Sequence, residues 1–192
     1  MIPPEPLGGN SLKVTRKLLL RLLPCMAMYR RSMPLLITAL TLLGLTGCEK
    51  DPAQALVGKP FPSFALPTPG GTDSVKSSQL QGGPALDVFW ATWCGPCGEE
   101  VEELRQVLSE YQGRGLKIVG LSIDETAAPV PLMVQKLSIP YPVATGALPL
   151  FDSLKLESLP QSFLLDKNGV IKESFTGLHS AKTFGEAIDG AL

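Results

Sequence analysis

The sequence predicts a single α/β domain in which strands and helices alternate, and three observations carry that prediction. Two mostly apolar runs of strand length, 85–90 and 116–123, stand on either side of a stretch with helical spacing. A second helical pattern follows, over 130–137. Late in the chain, residues 162–165 and 170–175 flank Asp166-Lys167-Asn168-Gly169, a hairpin signal that adds an antiparallel edge to the sheet. With 192 residues the chain is long enough for one real core and short for two.

The elements follow in order. Val57-Gly58-Lys59-Pro60 opens the folded part, placed at 57–192 after a short polar tether at 48–56. Residues 62–66 form a short strand, 67–72 a turn rich in Gly and Pro, and 73–76 the returning strand of an N-terminal hairpin. Gly82-Gly83-Pro84 punctuates the chain before the first long strand. From Gly95 to about Gln112, Val101, Leu104, Val107 and Leu108 recur at three- and four-residue spacing, and Gly113 and Gly115 stop the helix. Glu99, Glu100, Glu102 and Glu103 fall early in it, where the helix dipole favours acids. The helix over 130–137 ends before Ile139-Pro140. A strand over 142–145, one helical turn at 150–154 and a closing helix over 181–192 complete the reading.

Composition and charge narrow the function classes. Hydrophobic residues make up 44% of the chain, within the globular range. Six Lys and Arg and one acid, Glu5, lie in residues 1–47, whereas from Cys48 onward eleven basic residues face seventeen acids. That mildly acidic remainder gives no basic surface for a nucleic acid. Arg30-Arg31 precedes an apolar run from Met33 to Leu45, too short for a bilayer span of roughly 20 residues. A basic start, a short apolar stretch and a small-residue end make a secretory signal, so 1–47 reads as an address. Its end, Leu45-Thr46-Gly47-Cys48, resembles a bacterial lipobox, which implies lipid on Cys48 and a membrane-anchored product; an uncut anchoring helix with an incidental Cys48 is the alternative. In proteins with this signal an Asp after the cysteine holds them at the inner membrane, and Glu49 here leans toward the outer one. The extra basic, Leu-rich stretch 13–23 fits either a start assigned too far upstream, with Met28 or Met33 the real one, or an amphipathic surface helix. Cys25 lies in that stretch's wake and would be lost with it.

Export matters for the cysteines, because disulfides form and persist outside the cytoplasm. With Cys48 lipidated, Cys94 and Cys97 remain as a CxxC pair. Cys94 stands where a strand and short loop hand over to a helix. A thiol there faces unpaired N–H groups and the positive end of the dipole, which lowers its pKa to about 7 in such motifs. Cys97 lies one turn inside and holds its proton longer, making Cys94 the nucleophile and Cys97 the resolving thiol. Gly95 and Pro96 suit the first turn, where a missing N–H is no loss. A zinc half-site is the first alternative, but His179 is the only histidine and there is no second CxxC. A purely structural disulfide is the second, although so short a loop stabilises little. No metal and no other cofactor is expected.

The segment Asp87-Val88-Phe89-Trp90-Ala91-Thr92-Trp93-Cys94-Gly95-Pro96-Cys97 resembles the active-site segment of thioredoxin-fold proteins. Residues 57–192 resemble the TlpA-like, or ResA-like, thiol:disulfide oxidoreductases, with further matches at 57–66, 120–124 and 159–169. The resemblance implies a thioredoxin fold, a central mixed sheet flanked by helices, with an N-terminal hairpin and a central insertion at about 127–154. It implies a cis Pro160 beside the cysteines, so that Leu159 and Pro160 dock substrate together with Trp93, Gly95 and Pro96. It also implies Glu100 as a proton relay, since ResA-like members carry Glu three residues after the second cysteine; an acid that merely suits the helix start is the alternative. Protein disulfides, apocytochrome c among them, are the implied substrates, and a DsbD- or CcdA-like transmembrane protein the implied electron donor.

Three departures qualify the transfer. Thioredoxins carry a buried Asp six residues before the first cysteine, where this chain has Val88; Asp87 falls on the opposite strand face and is expected at the sheet rim with its carboxylate satisfied. The Pro that kinks the active-site helix in relatives is replaced by Val101-Glu102. Trp90 is expected in the core, His179 exposed and idle, and Asp124-Glu125 at a solvated strand end. The overall expectation is an extracytoplasmic disulfide reductase, since the Gly-Pro pair resembles thioredoxin, with a potential of roughly −270 mV. Its rivals are a non-catalytic thioredoxin-fold binding or chaperone module and a peroxiredoxin-like antioxidant enzyme. The last would want Thr where Ala91 stands.

Overall fold

The computed structural model describes residues 51–191. The signal-like stretch 1–47 and Cys48 lie outside the described residues. Among the described residues, seven strands and four helices follow one another: β1 (Ala65–Pro67), β2 (Ser74–Lys76), β3 (Ala85–Trp90), α1 (Gly95–Tyr111), β4 (Lys117–Ser122), α2 (Val130–Leu137), β5 (Val143–Ala144), α3 (Leu148–Ser153), β6 (Gln161–Leu165), β7 (Ile171–Thr176) and α4 (Ala181–Ala191). Five strands form the central sheet in the order β5-β4-β3-β6-β7. β3, β4 and β5 run parallel, while β6 runs antiparallel to β3 and β7 antiparallel to β6, so the sheet is mixed as the sequence predicts. β1 and β2 make a separate two-stranded hairpin.

Strand alternation gives β3 two buried faces. Leu86 and Val88 meet Leu104, Val107 and Tyr111 of α1 and Phe184 and Ile188 of α4. Phe89 on the other face joins Phe163 of β6, Phe151 of α3, and Phe61 and Phe64 of the segment before β1. The two helices approach closely where α4 carries Gly185: a Cβ there would lie 2.9 Å from the Tyr111 hydroxyl. That hydroxyl donates to Asp189 at 3.0 Å and so ties α1 to α4.

The opening hairpin departs from the predicted bounds. Residues 62–66 do not form a strand throughout; β1 begins at Ala65. The reason lies in the preceding segment, which pairs with the far side of the molecule. Gly58 N–H donates to Ile171 O at 2.8 Å, Phe61 N–H to Gly169 O at 2.9 Å, and Lys59 O accepts from Ile171 N–H at 2.9 Å. Only after that bond pattern ends does the chain turn to meet β2. A 3₁₀ turn at Gln54–Leu56 also lies along β7, with Gln54 Nε2 donating to Ser174 O at 3.1 Å. The late hairpin follows its turn chemistry. Asp166 Oδ1 accepts the N–H groups of Asn168 and Val170, and Gly169 takes the positive φ of 79°.

Candidate active site

The site grows from the end of β3. Ala91 to Cys94 form a tight loop, closed by Cys94 N–H donating to Ala91 O at 3.1 Å. Cys94 is then the N-cap of α1: its backbone is extended, φ −87° and ψ 103°, and its Sγ accepts the N–H of Cys97 at 3.2 Å. The sulfur thus takes the place that a Ser or Asp oxygen commonly fills. Gly95 and Pro96 occupy the first two helical positions, where no N–H has an intrahelical acceptor. Charge on Sγ is stabilised by the remaining N–H groups and by the helix dipole. The pair is present as a disulfide, with Sγ–Sγ 2.01 Å and Cα–Cα 5.3 Å. Cys97 is 3% exposed, whereas Cys94 is half-buried, so a partner reaches Cys94 first.

Asp124 braces this loop, a role that the sequence reading missed. It is buried, not at a solvated strand end. Its carboxylate accepts from Thr92 N–H at 3.1 Å, from Thr92 Oγ1 at 2.6 Å and from Ser122 Oγ at 2.8 Å. The end of β4 is thereby fastened to the residues that deliver Cys94. Thirty-two residues separate Thr92 from Asp124, and only the parallel register of β3 and β4, Trp90 opposite Ser122, brings them together. The Ser122-x-Asp124 spacing at a strand end was the available signal.

The tryptophans divide as the sequence suggests: Trp90 is buried and Trp93 is 71% exposed. Trp90 packs its indole edge over Gly120, whose added Cβ would stand 3.0 Å from Nε1. The Leu159–Pro160 peptide is cis, and it leads directly into β6, whose Gln161 pairs with Phe89. Leu159 and Cys94 pack against the same two apolar clusters, which places the two loops side by side.

Glu100 is 1% exposed and stands in the second turn of α1, so helix-dipole stabilisation of the first turn does not account for it. Ser162 Oγ and the His179 backbone N–H point at its two oxygens, at 3.5 and 3.4 Å. Burial pushes the Glu100 carboxyl up to about 7; the His179 and Ser162 hydrogen bonds oppose that rise and the Glu103 charge adds to it. His179 is not idle on the surface. Its ring lies edge-on to Phe175 and Phe184, and its backbone N–H faces Glu100.

Asp87 does not sit at the sheet rim with a satisfied carboxylate. It is fully buried within β3, between Val119 and Phe163, and neither carboxyl oxygen has a hydrogen-bond partner among the described residues. Burial pushes it up to about 8, so it is held as the neutral acid near pH 7. Alternation sets it on the Phe89 face, across the sheet from α1 and Cys97. Among the described residues, no group of three or more His, Cys, Asp or Glu is placed to hold a metal ion.

The profile of the AhpC/TSA family matches residues 57–174. The thiol-disulfide oxidoreductase ResA of Bacillus cereus is 30% identical over 132 residues, which cover 68% of this chain and 76% of that protein. The thiol:disulfide interchange protein DsbE of Pseudomonas fluorescens biotype C is 32% identical over 139 residues, 69% of this chain and 75% of that protein. Among solved structures, a thiol:disulfide interchange protein of the thioredoxin family from Chlorobium tepidum TLS superposes with a TM-score of 0.61 at 28% identity, covering 69% of this chain and 94% of that one.

Proposed function

This chain belongs to the AhpC/TSA family and is a thiol:disulfide oxidoreductase of the ResA and DsbE type with a thioredoxin fold, and we propose that it works outside the cytoplasm as a protein-disulfide reductase. The observation that carries the reading is the capped sulfur: Cys94 Sγ is half-buried and accepts a helix N-terminal N–H at 3.2 Å, with Cys97 fully buried behind it.

In the reduced enzyme the Cys94 thiolate attacks one sulfur of a substrate disulfide. An S–S bond to the enzyme forms, the substrate S–S bond breaks, and the departing sulfur leaves as a thiolate that takes up a proton. Cys97 loses its proton and attacks Cys94 Sγ, which expels the substrate's second thiolate. The substrate gains two electrons and the enzyme keeps the Cys94–Cys97 disulfide. A dithiol donor then returns those electrons, and a DsbD- or CcdA-like transmembrane protein fits that need on the exported side. Glu100, buried one helical turn from Cys97 and pushed up to about 7, is suited to take the Cys97 proton near neutral pH. Trp93, Gly95, Pro96, Leu159 and Pro160 form the surface on which the substrate rests.

The basic start, the apolar run 33–45 and Leu45-Thr46-Gly47-Cys48 support export and lipidation at Cys48, with Glu49 favouring the outer membrane. No helix among the described residues is long and apolar enough to cross a membrane. Apocytochrome c is one fitting substrate, because haem attachment needs reduced thiols. The test is a trap. Cys97→Ala in the native host should accumulate proteins covalently held on Cys94 and released by reductant, with apocytochromes among them if that branch holds. An absence of any such adduct, with the variant folded and exported, contradicts the reading.

A further inference from the structure

A groove of about 290 Å³ lies beside Cys94. Trp93 and Cys94 form one wall, Met133, Lys136 and Leu137 of α2 the other, and Gly98 lies between them. Leu159 and Pro160 do not line it; it runs from Trp93 and Gly95 of the docking surface toward α2.

Two features say what it takes. Its surface is mostly apolar and open at the reacting sulfur, where Trp93 is 71% exposed. The single charged side chain in its lining is Lys136. No carboxylate pairs with Lys136 among the described residues, and none lines the groove, although the chain from Cys48 onward is acidic. The wall is also held in place. Arg105 of α1 donates to Leu137 O at 2.9 Å and to Ser138 O at 3.1 Å, satisfying carbonyls at the end of α2, while its Nε pairs with Glu102. A wall fixed in advance loses little entropy on binding.

The geometry points to this groove as a subsite for the substrate residues next to the cysteine under attack, selecting an apolar side chain accompanied by a carboxylate. This rests on Cys94 being the attacking sulfur. The apolar side chain covers Met133 and Leu137 beside Trp93, and the carboxylate pairs with Lys136. Substrates with a basic residue in that place bring like charge to the same ammonium and are disfavoured.

The experiment compares synthetic peptides, each joined to glutathione through its one cysteine. Their neighbouring residues are Leu-Asp, Leu-Lys or Ser-Asp. Second-order rate constants for reduction by the reduced full-length protein are measured at low salt and at 1 M salt. The Leu-Asp peptide should react about two- to fivefold faster than the Leu-Lys peptide at low salt, the size of a solvent-accessible ion pair. That ratio should collapse at 1 M salt, where charges are screened beyond about 3 Å. The Leu-Asp peptide should also exceed Ser-Asp. Lys136→Glu should reverse the Asp-over-Lys order, and Lys172→Glu on β7 should leave it as it is. A ratio between two peptides on one enzyme cancels any effect of the substitution on Cys94 itself. Equal rates for Leu-Asp and Leu-Lys, or an order unmoved by Lys136→Glu, overturn the subsite while disulfide reduction stands. Failure to reduce any of the peptides overturns the proposed function along with it.

Discussion

Cys94 draws charge stabilisation from the backbone around it. The Cys97 N–H and the start of α1 are the groups that face it. Two acids complete the picture at this scale, and burial pushes both upward: Glu100 to about 7 and Asp87 to about 8. Glu100→Gln keeps the shape and removes the titration. Its mixed-disulfide resolution should slow by about 10²-fold, the lower end for a lost general acid–base group. The pH profile of that step should also lose the inflection near pH 7 expected of the parent; an unchanged profile makes Glu100 a packing residue only. Asp87 makes a stability prediction. Its folded value lies above the 3.8 of an unburied Asp, so the folded state holds a proton that the unfolded state releases. Stability therefore falls as pH rises from about 4 to about 8, by up to about 1.4 kcal/mol per unit. Glu100 adds the same sign between about 4.5 and 7. Denaturant unfolding should show Asp87→Leu more stable than the parent at pH 8, by a few kcal/mol. The gap should narrow toward pH 4; a gap independent of pH contradicts the buried neutral acid.

Elements place these residues. β3 delivers Cys94, the end of β4 braces its loop through Asp124, and β6 carries the cis-proline loop alongside. Asp124→Ala leaves Thr92 N–H, Thr92 Oγ1 and Ser122 Oγ without their acceptor. The expected cost is about 2–3 kcal/mol by urea unfolding, with slower disulfide reduction by the folded variant. Full activity at parental stability would show that the brace is dispensable. Much of this scale was legible in one dimension. The α1 periodicity, the apolar run of β3 and the Asp-Lys-Asn-Gly turn are local signals, and each element stands where its signal falls. β1 was misplaced because residues 58–61 spend their backbone groups on the β6–β7 hairpin, over a hundred residues away, and no local pattern records that. Asp124 and Asp87 were misread for a related reason. Whether a strand acid meets a hydroxyl, as Asp124 does, or faces only apolar neighbours, as Asp87 does, depends on register between strands.

For the molecule as a whole, an acidic domain presents one reactive disulfide at the end of its sheet, beside exposed Trp93. The CxxC motif and the flanking tryptophans make that end of the sheet readable as a redox site from sequence alone. The partners of Glu100, Ser162 and the His179 N–H, come from β6 and the loop before α4 and were beyond the reach of spacing. The central claim is that the beginning of α1 makes Cys94 an ionised, accessible nucleophile. The rate of alkylation of the reduced protein by iodoacetamide, followed across pH with the modified cysteine identified by mass, tests it directly. The account predicts selective modification of Cys94 with a midpoint at about pH 7 or below. A midpoint near 8.5, the value of an unperturbed thiol, or modification of Cys97 first, would contradict it.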